Sequence, residues 1–273
     1  MGLPEIFISF QTAAVSAITR SARGVLAVAV KDATAGGATE AAYKSLAEVP
    51  EDKFSPENYR LLKLAFLAAP TKVWVLRVGE DAEKTYQALE RLRFDWLAAP
   101  GLDDARVMSF IKTLRSGGRG VKAVVANATA PDCEGIVNLC VSGLMLEDGA
   151  MEAKDYAVRV AALLAALPLT RSATYVNLPE VVGCDALAEP DEAVDAGKLI
   201  IVPGREGYRL GRAVNSLTTL TPDKAAPFQK IKIVEGMDLY MDDIRDTFEK
   251  YYVGKVINDY DNKQMFVAAI SSY

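Results

Sequence analysis

Side chains able to do chemistry are sparse in this chain, and the first constraint is a missing residue type. Among 273 residues there is no histidine. Ser-His-Asp and Cys-His nucleophilic mechanisms are therefore excluded, because each needs an imidazole to take the nucleophile's proton. The three cysteines, Cys133, Cys140 and Cys184, are odd in number and follow no metal-ligand spacing. A structural zinc would need a carboxylate beside all three thiols. They read as reduced, mostly buried small hydrophobes. No metal and no cofactor is expected.

The carboxylates are the other candidates. Asp103 and Asp104 follow the apolar segment 94–98 (FDWLA), at the carboxyl end of an expected parallel strand, where ligands often bind. Their plainer reading is a helix N-cap and a first-turn acid. Glu189, Asp191, Glu192 and Asp195 lack the spacing of an EF-hand loop and read as a solvated face between domains. The cluster 116–120 (SGGRG) follows a helix and precedes a strand, the reverse of a phosphate-binding loop, so it reads as a connection. Asp242, Asp243, Asp246 and Glu249 lie on the charged side of a helix. They form either a solvated face or a surface for a basic patch on a partner. Trp74 and Trp96 read as core.

Composition narrows the partners. Apolar residues make up 51% and charged residues 25%, as in an ordinary globular protein, and the net charge of −5 offers no basic footprint for nucleic acid. No run reaches the roughly 18 apolar residues of a membrane span. The opening MGLPEIFISF has no basic region ahead of its apolar residues, and Ile6 stands where myristoylation needs Ser or Thr. No membrane insertion is expected.

Elements that would position these groups follow from periodicity. Residues 24–30 (GVLAVAV) form a nearly continuous apolar run, a strand buried on both faces. Ser55 caps a helix with Pro56 at its first position and a stripe of Tyr59, Leu62, Phe66 and Leu67. Strands at 72–78, 94–98 and 121–126 then alternate with helices at 82–92 and 102–114. This predicts βαβ units and a largely parallel sheet. Segments 136–141 and 144–146 are extended. A short hairpin leads to a helix at 153–167 that Pro168 stops, and 174–176 is a further strand candidate.

The composition turns acidic and small at 186–196, where a domain boundary is expected. Beyond it, 197–203 and 208–212 form a hairpin, and 231–234 is short and extended. Met237, Met241, Ile244, Phe248 and Tyr251 mark an amphipathic helix, and 259–273 a last one with Phe266, Ala269 and Ile270 inward. That helix stops in mid-pattern without Gly, Asn or a basic last turn, which predicts a chain cut short. The division is then 1–23, an N-terminal strand and arm; 24–196, an α/β domain; and 197–273, a smaller domain.

At the start, Leu3, Glu5, Phe7 and Ser9 alternate with Ile6, Ile8 and Phe10, a strand with one strongly apolar face. The small, polar segment 11–23 gives it reach. These large apolar side chains must be buried somewhere, either in the chain's own sheet or on the sheet edge of a neighbour.

The opening GLPEIFISF, the junction SARGVLAVAVKD, the segment LAALPLTRSATY, and the set GRAVNSLTTL, FQKIKIVEGMDL, DIR and VGKVINDYDNK together resemble the small contractile tail sheath proteins of prophages and R-type bacteriocins, more loosely over 36–127. The resemblance implies an α/β domain of subtilisin-like topology without its triad, followed by a smaller α+β domain. It implies a non-enzymatic subunit, assembled in the bacterial cytoplasm and residing in a virion tail or phage-tail-like particle. Copies would stack as helical rings around a tail tube, with baseplate and terminator proteins as further partners. Contraction would proceed by repacking of interfaces, without nucleotide hydrolysis. Relatives carry a C-terminal arm that this chain is expected to lack. The N-terminal strand would interlace neighbours. Two other readings stay open: an adaptor or tail-completion protein forming one ring, and a small-ligand α/β enzyme.

Overall fold

The apolar run near residue 25 forms strand β1 (Val25–Val30), and its alternation divides a core in two. Leu26, Val28 and Val30 join one apolar cluster, and Ala27 and Ala29 the other. A computed structural model describes residues 23–273, and the expected strand Leu3–Phe10 lies outside them. Around β1 run the parallel strands β3 (Lys72–Arg77), β4 (Trp96–Ala98), β5 (Lys122–Ala126) and β6 (Ile136–Cys140). Helices α2 (Ala82–Arg91) and α3 (Asp104–Ser116) contribute to the cluster holding Ala27. Helices α1 (Pro56–Phe66) and α4 (Ala153–Ala166) contribute to the other. Helices on both faces are what an all-apolar parallel sheet demands.

One edge was not legible in the sequence, and at the other the hairpin expected over 197–212 forms but joins the main sheet. Strand β2 (Glu40–Tyr43) pairs antiparallel with β3 and ends the sheet on one side. At the other side β11 (Lys198–Gly204) pairs parallel with β6, and β12 (Gly207–Leu210) folds back on it. Strand β9 (Asn177–Leu178) completes the order β2-β3-β1-β4-β5-β6-β11-β12-β9. A small second sheet holds β7 (Met145–Leu146), β8 (Gly149–Ala150) and β10 (Val181–Gly183).

Several expectations are corrected here. The division expected at 196 does not coincide with the compact unit, which runs Arg23–Gly236, because β11 continues the main sheet. The acidic stretch before it is a short exposed helix, α5 (Pro190–Asp195). Segment 174–176 is not a strand; pairing starts one residue later, in β9. Segment 231–234 is not extended but opens α6 (Ile231–Tyr251). Ile231 and Val234 are both buried there, three residues apart, so burial on one helical face overrides β-branched propensity. In α1 the buried residues are Leu61, Leu62, Leu64 and Ala65, whereas Leu67 is 60% exposed. Trp96 is core, but Trp74 is half-buried under the Lys72 ammonium.

Met237–Tyr273 falls in a second unit and is helical throughout its regular structure, while the hairpin of the α+β domain expected over 197–273 joins the main sheet. The end of α6 and α7 (Tyr260–Ser272) pack through Phe248, Tyr252 and Phe266, with Tyr252 and Phe266 rings 4.6 Å apart. Tyr240 stacks on Tyr273, whose hydroxyl donates to Asp243.

Asp32 fixes the exit from β1. Its side chain is fully buried beside Arg77, and it accepts from the Thr34 and Ser55 amides and from Asn58 Nδ2 at 2.8–2.9 Å. Burial alone would raise its pKa; these hydrogen bonds outweigh it and bring the carboxyl from 3.8 down to about 2. A depressed folded pKa stabilises above the unfolded value and is lost as pH falls toward 2. Asp32→Asn is expected to cost about 2 kcal/mol at pH 7, with the gap to wild type closing between about pH 5 and pH 2 in thermal melts. A gap constant across that range would show that the charge is irrelevant. In urea titrations Leu139→Ala, at a wholly buried site of β6, is expected to cost about 3 kcal/mol, and Leu67→Ala under about 0.5.

Candidate functional site

In a parallel sheet, the carboxyl ends of the strands are where a ligand would sit. At that edge Gly101 packs against the end of β1, where an added Cβ would lie 2.7 Å from the Lys31 nitrogen. The chain therefore closes over this edge at the end of β1. Asp103 is the N-cap of α3, accepting from the Arg106 amide at 2.9 Å, and Asp104 pairs with Lys154 at 3.2 Å. An open groove of about 660 Å³ lies between α1, the end of β6 and the start of α4. Its lining mixes Leu61, Leu144 and Met151 with Glu57, Glu152 and Asp155. Burial, then the Glu152 charge, push the Asp155 carboxyl up. The groove's cation, Arg60, is spent on Asp148 and on the Gly149 and Ala150 carbonyls. That leaves it no convergent set of groups for a reaction.

The remaining sequence candidates are structural. The three cysteines are free thiols, with Cys133 buried. Burial, then the Glu134 charge, raise the Cys133 thiol. Among the described residues, no group of three or more Cys, Asp or Glu side chains could hold a metal, the 189–195 acids included. Residues 116–120 connect α3 to β5, with Gly118 at φ 86°. Of the acidic helix, Asp243 is buried under Tyr273 and does not face outward. Asp242 and Asp246 are half-buried, with Asp242 near Arg245, and Glu249 is exposed. The stripe expected inward is largely outward: Met237, Met241, Phe248 and Tyr251 are 38–55% exposed. Leu3, Glu5, Ile6, Phe7, Ile8, Ser9 and Phe10 lie outside the described residues.

The concentrated polar chemistry sits at the opposite, amino edge of the sheet. Glu235, in the second turn of α6, accepts from the Trp96 indole at 2.7 Å through Oε1. The Lys122 ammonium lies 3.3 Å from the same oxygen and is 1% exposed. Arg23 donates to Glu235 Oε2 at 3.0 Å and to the Glu235 carbonyl at 2.7 Å. Asp95 accepts from the Gly24 and Val25 amides at 2.8 and 2.9 Å. Trp96 and Lys122 are the first residues of β4 and β5, so one carboxylate ties a helix to two neighbouring strands.

A second strap lies at the start of β6. Ser216 accepts from the Cys133 amide and donates to its carbonyl, and its amide bonds the Ile136 carbonyl. Asn215 Nδ2 donates to the Phe228 carbonyl at 2.6 Å. Asp132 accepts from the Thr218 and Thr219 amides, and the Thr219 amide bond leads the effects that hold its carboxyl at about 2. Within the sequence motifs NSLTT and KIVEG, Asn215, Ser216 and Glu235 are thus inward fasteners. The signal that could have found them was Asn, Ser and Glu inside otherwise apolar runs.

No family model matches the chain. The tail sheath protein of Clostridium phage phiCD119 is 35% identical over an alignment of 291 residues, taking in 100% of this chain and 79% of the relative. The sheath tail protein of Desulfitobacterium hafniense has a solved structure with a TM-score of 0.79 at 17% identity, covering 91% of this chain and 84% of that one. The helical sheath of the anti-feeding prophage, solved in its contracted state, gives 0.72 at 12% identity, covering 100% and 82%. The two structures show the fold. The full-length identity to the Clostridium phage protein shows the kinship, and this chain belongs to the tail sheath protein family.

Proposed function

We propose that the protein is a structural, non-enzymatic subunit of a contractile tail sheath. Copies polymerise as helical rings around a tail tube and contract to drive the tube through a target envelope. Tube, baseplate and tail terminator are its partners, and it works in a virion tail or phage-tail-like particle after assembly in the bacterial host cytoplasm. The observation that carries this reading is the family relationship over the whole chain. The surface of the C-terminal helices supports it. Across these helices and the turn joining them, Met241, Val253, Ile257, Tyr260 and Val267 are 53–76% exposed, a concentration of apolar side chains in water. Such a face suits heterologous contact between copies, which generates open helices.

Within that reading, Leu3–Phe10 is a strand donated to a neighbouring copy, its main chain supplying the bonds and Ile6, Ile8 and Phe10 the apolar contact. Asp242, Asp246 and Glu249 flank the exposed apolar face and set its charge. Asp243 is excluded from that role by its burial. The division of labour into an arm, an α/β body and a C-terminal unit follows.

Negative-stain microscopy tests this. The protein with its tube is expected to form striated sheaths, and removal of residues 1–10 or Ile6→Asp with Ile8→Asp is expected to leave dispersed particles. Sheaths of normal length from either variant would take the N-terminal strand out of the interface. Closed single rings from the unaltered protein would overturn the sheath reading.

A further inference from the structure

The Arg23–Gly236 unit has two covalent crossings, one before Arg23 and one after Gly236. Residues flanking the two crossings are in direct contact: the Arg23 guanidinium bonds both the carbonyl and the carboxylate of Glu235, at 2.7 and 3.0 Å. That carboxylate continues to Trp96 and Lys122, and Asp95 grips the backbone of Gly24 and Val25 while lying 3.7 Å from Arg23. We propose that this cluster is a load anchor. Tension reaching the unit along either crossing is taken at Glu235 and Arg23 and spread into β1, β4 and β5 before it can peel a strand or unwind α6.

Three features support the assignment. The side chains are inside, with Arg23 and Glu235 at 15% exposure and Lys122 at 1%, so water cannot readily exchange for the contacts as the chain is pulled. The receiving strands β1, β4 and β5 are adjacent and central, so force is shared across their ladders. Ile231 and Val234 bury the first turn of α6 next to the cluster, which supplies adhesion but no directional grip. Charge-assisted hydrogen bonds supply the direction. The idea rests on the sheath reading only for its purpose, since a subunit linked to neighbours at its ends would be loaded along these crossings.

Single-molecule force spectroscopy on the protein tests it in two pulling geometries. One places handles at the chain ends and loads the Arg23–Glu235 contact; the other places them at Lys84 and Leu187, both exposed and away from it. Glu235→Gln is expected to shorten the lifetime under constant force about tenfold with terminal handles, and less than about twofold with the internal pair. Arg23→Lys keeps the charge but not the planar guanidinium, whose Nη1 bonds Glu235 while its Nε faces Asp95. It is expected to act in the same direction and carries the comparison if the first variant does not fold. Equal shortening in both geometries would reduce the cluster to an ordinary stabilising contact, and unchanged lifetimes with terminal handles would remove the anchor. Neither result depends on polymerisation, so microscopy can refute the sheath reading without touching this one.

Discussion

A carboxylate placed where the sheet's amino edge meets a helix governs what the surrounding chain can do. Lys122 is 1% exposed, and a buried ammonium without a counter-charge costs several kcal/mol. Glu235 supplies that charge, and with Asp95 and Arg23 the cluster holds two acids and two bases. Placing Glu235 there requires α6 to start as a helix at Ile231, and this overrides the β-branched residues that begin it. It also requires β4 and β5 to begin level with each other, as the Trp96–Lys122 register shows. The price of this cluster, like that of any buried ion set, is desolvation, so its value lies in position more than in net stability.

The rest of the large unit is built so that this edge has something rigid to pull against. Small residues in the strands, Ala27, Ala29 and Ala123, share the second core with Leu89, Phe110 and Ile111 of the flanking helices. Residues below 2% exposure recur in β1, β4, β5 and β6. Such interiors are packed at crystal-like density and transmit displacement instead of absorbing it. On α4, Arg159 bonds Glu180 at 2.7 Å, and Tyr156 donates to the same oxygen, fastening that helix to the β9–β10 turn. Burial, followed by the Glu180 charge, drives the Tyr156 phenol up, so it stays a neutral donor.

What the sequence disclosed and what it hid divide along physical lines. Helix starts marked by Ser55 and Asp103, and strands marked by unbroken apolar runs, were legible because their signals are local. Strand β2 was not, since EAAY is a strand only through its pairing with β3. The boundary at 196 failed for a similar reason: an acidic, small-residue stretch looks like a linker whether or not the next strand rejoins the same sheet. The C-terminal helix misled in the other direction. Its apolar stripe was plain, but periodicity identifies a stripe without saying whether it faces a core or water, and Met237, Met241 and Phe248 face outward while Asp243 is covered. Glu235 was invisible as a site, because one acid in a helical pattern looks like any solvated acid until Arg23 and Trp96, distant in sequence, arrive beside it.

These observations converge on where free energy for work would reside. An engine running on chemistry needs groups left available at a cleft, and here Asp32, Asp103 and Arg60 are each spent on backbone or ion-pair contacts. A mechanical subunit needs the converse: a body stiff enough to move as one piece, chain crossings fixed to it, and apolar surface held in reserve for neighbours. Interfaces can store free energy only if the bodies they join do not relax it internally, because a compliant body would dissipate an interface change as local strain. Tying buried carboxylates to buried cations and concentrating the fasteners at one edge favours that condition. In a member of the tail sheath family, a body tied in this way leaves contacts between copies as the place where energy can change.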